Sequence, residues 1–369
     1  VAKSNLAAAE ALRLWLAHRS LPRPGDEAEA EALVAAALEQ GLAGLLRAAV
    51  GERDDWPASA RRRLADAHRA LLARGVVQLQ LQARAARLLE AAGVPALPLK
   101  GAAVAETLYA SVADRPMADV DLLALGDFSA AVAALGAAGF RKLAEADHAW
   151  VFHDPESGER LELHHGLSSC PGLFPVDAHG LWTRRRPGPG PVAWVPCAED
   201  LLVQLSLHAA FQHGLVLSLV QHLDLRRLLE GPLDPALAAR AAGQARAAPA
   251  VAAALELSRR VLGATVDPAL EAAFAGERPR GLLRWLDTQE PASFVTPAPA
   301  AVVRARFAIA RGRRARLLAL TLSPASPLGS ESILHRLGRA LARTPGLIER
   351  WGPFLAPATR SARRSRLGV

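Results

Sequence analysis

Apolar residues recur along the first part of the chain with the three- and four-residue spacing of amphipathic helices. Leu6, Ala9, Leu12, Leu14 and Leu16 mark a helix over 5–20, broken by Pro22 and Pro24. Asp26 is placed to cap a helix over 27–40 that Gly41 ends. A short helix over 42–50 follows, then a long one over 59–92 with Gly75 inside it. At Gly93-Val94-Pro95 the pattern changes. Residues 94–99 form a short apolar run of strand length, which Pro95 and Pro98 confine to a strand start or a sheet edge. Gly101 permits a tight turn, and 102–109 reads as a helix. A strand is predicted over 118–125. A helix over 128–138, capped by Asp127, comes next, then extended segments from Phe140, over 148–153 and over 159–165, the last two joined by an Asp-Pro-Glu-Ser-Gly turn.

Within these predicted strands the polar positions carry the chemistry. Residues two apart on a strand point to the same side, so Asp119 and Asp121 project together while Ala118, Val120 and Leu122 face a core. Two carboxylates on one face repel unless a cation or a proton lies between them, which makes the pair a candidate metal site. Leu161 and Leu163 alternate with Arg160, Glu162 and His164, so Glu162 is the candidate third carboxylate. The strand, the Lys100-Gly101 turn and the following helix N-terminus form an arrangement suited to an anion. Adjacent His164 and His165 face opposite ways and do not share one metal ion without distortion.

From 166 to 196 the text is loop-like and rich in Pro and Gly. Helices are predicted over 200–212 and 215–230, with shorter ones between 235 and 276. His208, His213 and His222 on these helices are read as satisfied structural residues. The chain therefore divides into a helical region over 1–92, a core over 93–196 and a helical region over 197–369 that ends in a basic tail. The fold class is α/β (α+β), with a small mixed sheet flanked by helices.

Composition agrees with a globular chain of 369 residues, 51% hydrophobic and 22% charged. The formal net charge is +8, nearly all from arginine, with lysine only at Lys3, Lys100 and Lys142. This basic balance admits an anionic partner, though solvated arginine-rich helix faces are the simpler account of it. Basic residues thicken at 311–316 and 360–366. Two cysteines without CxxC spacing exclude a disulfide framework and a zinc ribbon. No secretory signal pattern and no long uncharged apolar stretch is present, so a cytoplasmic chain without a membrane partner is expected.

Taken together, Leu99-Lys100-Gly101, Tyr109, the run from Arg115 through Asp119, Asp121 and Leu123, Gly139-Phe140 and Leu161-Glu162-Leu163-His164 resemble the uncharacterised bacterial branch of the nucleotidyltransferase superfamily with a DNA polymerase beta-like core. The resemblance covers about 90–170 and continues weakly through the helices holding His208, His222 and Asp224. It implies transfer of a nucleoside monophosphate from an NTP, with ATP first in order, to an unidentified small-molecule or peptide acceptor. Asp119, Asp121 and Glu162 would be catalytic and would hold two Mg2+ ions. Lys100, Gly101 and Arg115 would bind the nucleotide's phosphates, and Asp224 would contact the acceptor or an active-site arginine. Many active members of the wider superfamily carry Gly-Ser where this chain has Lys100-Gly101. Two other functions follow from that departure and from the basic balance: an inactive nucleotide- or partner-binding relative, and an enzyme that modifies RNA ends. The latter lacks an aromatic-rich RNA-binding stretch, Tyr109 being the sole tyrosine.

Overall fold

The computed structural model describes residues 2–168, 171–295 and 305–309. The basic segments at 311–316 and 360–366 lie outside the described residues. Four helices lead the chain: α1 (Ala2–His18), α2 (Glu27–Glu39), α3 (Ala43–Val50) and α4 (Ala58–Ala91). Asp26 caps α2 by accepting from the Glu29 N–H at 2.8 Å, as its position predicts. In α4, Gly75 lies against Val112; a Cβ there would come within 2.6 Å of a Val112 methyl. Glycine is thus what lets this helix approach the loop before the carboxylate strand.

The sheet is built from β1 (Ala96–Pro98), β2 (Val120–Ala124), β3 (Arg141–Glu145), β4 (Ala149–His153) and β5 (Arg160–His164). Its order is β1-β2-β5-β4-β3. Only β2 and β5 run parallel; their register sets Asp121 opposite Glu162 and Leu123 opposite His164. Strand β1, with its prolines, is an edge strand, since Pro98 has no N–H to give to a second neighbour. Helix α5 (Lys100–Thr107) follows β1, and α6 (Phe128–Ala137) follows β2 with Asp127 as its cap.

Every position of β2 is buried, so its two faces enter different cores. Val120, Leu122 and Ala124 join Leu161, Leu163 and Phe152 beneath α4 and α6. Leu123, with Leu97 and Leu99 of the β1 segment, belongs to the larger core shared with α1–α3 and the C-terminal helices. Burial of each of these leucines contributes about 1.5–3 kcal/mol. Asp121 shares Leu123's side of the strand and stands where that core gives way to a cleft.

The stretch expected to be loop over 166–196 holds a helix, α7 (Ala178–Arg184), and a two-stranded ribbon, β6 (Arg186–Pro187) with β7 (Trp194–Val195). Asp177 caps α7 at Gly180, and Arg184 at its end forms a bidentate pair with Asp200 at 2.9 and 3.0 Å. Local turn residues conceal this helix because its anchors lie on the next one. That helix, α8 (Ala198–Leu207), passes into a π-helical turn at His208–Gln212, where the reading predicted one continuous helix. The His213 N–H bonds the His208 carbonyl at 3.2 Å. Then come α9 (Leu219–Leu229), opened by a Ser218–Gln221 capping box, α10 (Pro235–Gln244), α11 (Ala248–Leu262), α12 (Pro268–Phe274) and α13 (Arg280–Asp287). Among the described residues no helix is long and apolar enough to cross a membrane.

Candidate active site

A cleft of about 680 Å³ opens where the β2–β5 pair meets the π-turn and the start of α9. Lys100, Gly101, Arg115, Asp119, Asp121 and Glu162 all line it. The backbone puts them there for separate reasons. The Leu99 N–H bonds the Asp121 carbonyl at 3.0 Å, extending the β1–β2 ladder to the residue before the lysine. Lys100 then takes φ +46°, a left-handed conformation rare outside glycine. Its N–H is held by the Gln204 side-chain oxygen at 3.0 Å. The turn expected at Gly101 is therefore made by Lys100. Gly101 serves close approach: a Cβ there would press on Arg115 Nη1 at 3.2 Å and Met117 Cγ at 3.3 Å.

Asp121 and Glu162 face each other across the parallel register. Lys100 Nζ lies 2.6 Å from Asp121 Oδ1 and 3.7 Å from Glu162 Oε2. His164 Nε2 lies 2.8 Å from the same Asp121 oxygen and 3.4 Å from Glu162 Oε2. One ligand atom from each of Asp121, Glu162 and His164 falls within 4.8 Å of the others, a spacing fit for one metal ion. The ammonium of Lys100 stands where a cation would sit. The donor set and this stand-in charge together suit a divalent ion.

Asp119 is bent into the cleft just ahead of β2, and the ladder starts one residue after it. Helix α4 pins the backbone before it: Arg74 donates to the Ala118 carbonyl at 3.0 Å and Gln78 to the Met117 carbonyl at 3.3 Å. Asp119 lies outside the three-residue cluster yet feels its charges. Burial, then Asp121 and Glu162, push its carboxyl up to about 6. Burial works against ionised Asp121 too. The Lys100 charge and the hydrogen bonds from His164 and Lys100 overcome it and hold the carboxyl well below its ordinary value. Glu162 is lowered chiefly by the His164 hydrogen bond. For His164 itself, burial and Lys100 oppose the charged ring, but its bonds to Asp121 and Glu162 prevail and raise it.

Arg115 is placed differently. Its Nε and Nη2 grip Asp224 at 2.9 and 2.7 Å, and Nη1 donates to the Pro116 carbonyl at 2.6 Å. The Tyr109 hydroxyl donates to the same Asp224 at 2.7 Å. The arginine that the motif pairs with phosphates is thus turned toward a carboxylate more than a hundred residues away. Asp224 does meet an arginine of the cleft wall.

The opposite wall carries a chain of side-chain hydrogen bonds. The Gln221 side-chain N–H points to His208 Nε2 at 3.4 Å, and His208 Nδ1–H donates to Gln212 Oε1. Gln212 Nε2–H donates to His148 Nε2 at 3.0 Å, and His148 Nδ1–H to Asp147 at 2.9 Å. All donors run one way along this chain, with His208 accepting at Nε2 and donating at Nδ1. Burial, followed by His213 and Lys100, keeps His208 well below its ordinary value. Burial puts His213 at about 4. His222 is not part of this wall; it is buried and bonded to the Phe294 carbonyl at 3.1 Å. His165 packs on Phe128 on the far side of the sheet, 4.8 Å between ring centroids, so the two adjacent histidines do diverge.

Sequence reasoning left His164 out of the site. Its alternation with Leu161 and Leu163 was the available signal, since it shares the Glu162 face. The model of the family described as "Uncharacterised nucleotidyltransferase" matches residues 26–263, well over half of the chain. The chain belongs to the uncharacterised nucleotidyltransferase family. The match runs beyond the motif-bearing strands in both directions, taking in α2 to α4 and the helices through α11. No curated protein and no solved structure matches the chain.

Proposed function

We propose that this nucleotidyltransferase moves a nucleoside monophosphate from an NTP, ATP being the first candidate, to an acceptor hydroxyl with release of pyrophosphate. The observation that carries this reading is the convergence of Asp121 and Glu162 around a cation position, with Asp119 charge-coupled beside them. Asp119 and Asp121 would hold one divalent ion with the triphosphate, and Asp121 and Glu162 the other; Mg2+ is the expected ion for the oxygen-rich position. Ions so placed would polarise the α-phosphoryl group and stabilise the attacking and leaving oxygens.

The chain's own residues do the rest. Lys100, released from Asp121 as the ions bind, turns its ammonium to the departing phosphates as a point charge. The Gly101 backbone, at the start of α5, adds an N–H to the same anion. Arg115 braces Asp224 and Tyr109 and so fixes the floor on which Lys100 and Gly101 stand; Gly101 has no side chain to hold it away. Glu162 favours loss of the acceptor's proton. The hydrogen-bonded wall from His148 to Gln221 faces the acceptor, an unidentified small molecule or a peptide side chain.

The reading is tested by titrating the chain with ATP and a divalent ion and measuring pyrophosphate release against a panel of hydroxyl-bearing acceptors. Release that depends on acceptor and ion, and vanishes in Asp121→Asn, supports it. Nucleotide binding without any turnover across the panel supports the inactive relative instead. RNA extension that weakens steeply with salt would favour the RNA-end reading.

A further inference from the structure

Within the reading of the cleft as a divalent-ion site, one donor is unlike the others. We infer that His164 Nε2 is a direct ligand of the ion held by Asp121 and Glu162, and that this position selects a first-row transition ion over Mg2+. Ligand atoms about 2.0–2.2 Å from a common ion lie about 2.8–3.6 Å apart when they subtend right or tetrahedral angles. His164 Nε2 lies 2.8 Å from Asp121 Oδ1 and 3.4 Å from Glu162 Oε2. These are the separations of neighbours around one ion.

Lys100 points to the same position. Its Nζ reaches the same two carboxylates, 2.6 Å from Asp121 and 3.7 Å from Glu162. A cation thus already stands between the two carboxylates. Loading exchanges this ammonium for the ion, leaving both carboxylates neutralised.

His164 is fully buried, and its Nδ1 has no hydrogen-bond partner among the described residues. An orphaned buried nitrogen costs about 1–3 kcal/mol. The bond from Nε2 to Asp121 alone sets the present tautomer. Moving the hydrogen from Nε2 to Nδ1 gives up the bond to Asp121, and a bond from the freed Nε2 lone pair to the metal takes its place. Imidazole is a poor ligand for Mg2+ and a good one for transition ions, so the donor chemistry sets the selectivity.

The test uses the full chain, stripped with a chelator and loaded with Mn2+ alone. Pulsed electron paramagnetic resonance of the bound Mn2+ is expected to show coupling to an imidazole nitrogen. In competition, Mn2+ should bind at least about tenfold more tightly than Mg2+, and His164→Gln should abolish the nitrogen coupling and cut that preference about tenfold or more. The wild-type spectrum needs no variant to fold, so the inference stands or falls on it even if the substitution destabilises the chain. Tight Mn2+ binding with no nitrogen coupling would overturn the inference and leave the two-carboxylate site intact. Failure to bind either ion would instead remove the metal-dependent reading as a whole.

Discussion

Two buried charge clusters lie side by side beneath the same cleft, and they are built to opposite rules. Around Asp224 everything is closed. Arg115 grips it through two nitrogens, Tyr109 donates to it, and Arg227 lies over the Tyr109 ring at 4.2 Å. One carboxylate is matched by one guanidinium. Around Asp121 the count does not close. Asp121, Glu162 and Asp119 share a single ammonium and one histidine, and burial together with the leftover repulsion raises the Asp119 carboxyl. Burial of charge is common to both, so burial alone does not mark a site. An excess of like charge with a movable counter-ion does.

The sharpest way to break this contrast is to open the closed cluster. Arg115→Ala leaves Asp224 buried without its partner, and chemical denaturation is expected to show a loss of about 3–5 kcal/mol. A loss under about 1 kcal/mol would mean that Asp224 finds water or Arg227 instead. Asp119→Asn should behave the other way. Replacing a carboxylate that its neighbours disfavour leaves the unfolding midpoint at pH 8 unchanged or higher, while Mn2+ or Mg2+ affinity falls about tenfold or more. A variant that is both unstable and fully metal-competent would reverse the roles assigned to the two clusters.

Smaller changes sharpen the comparison. Tyr109→Phe removes one bond to a charged acceptor in the closed cluster and should cost about 1.5–3 kcal/mol, with metal affinity untouched. Lys100→Met removes the stand-in cation. Divalent-ion affinity in the absence of nucleotide should rise, and ATP affinity in its presence should fall; calorimetry reads both. A parallel fall in the two would mean that Lys100 supports the ions directly.

Outside both clusters, His222 offers a control. Burial holds it at about 4 against an ordinary 6.5. The unfolded chain therefore binds the extra proton between those values, and stability falls as pH drops from about 6.5 toward 4. His222→Gln should flatten that decline in a thermal-unfolding series without altering metal binding. An unchanged slope would assign the acid sensitivity to other groups.

How far the sequence reached follows from the same contrast. Strand-length apolar runs and their turns locate β1, β2, β4 and β5, because alternation and prolines are local signals. Asp121 and Glu162 were legible as same-face polar residues on two such strands. What alternation does not contain is register: that Asp121 stands opposite Glu162 and His164 next to both depends on pairing across some forty residues. The left-handed Lys100 was hidden for another reason, since Gly101 beside it is the residue that usually takes such a turn. Arg115 turning to Asp224, and the π-turn that aims His208 and Gln212 at His148, are likewise set by packing of the C-terminal helices on the sheet and leave no periodic trace.

The central claim is that the open cluster holds divalent ions for a nucleotide, and equilibrium binding of ATP to the intact chain addresses it most directly. With Mg2+ or Mn2+ present, ATP should bind at least about tenfold more tightly than in chelator, and the Asp119→Ala, Asp121→Ala double variant should lose that gain. ATP binding that is indifferent to the ion and unchanged in the double variant would contradict the account.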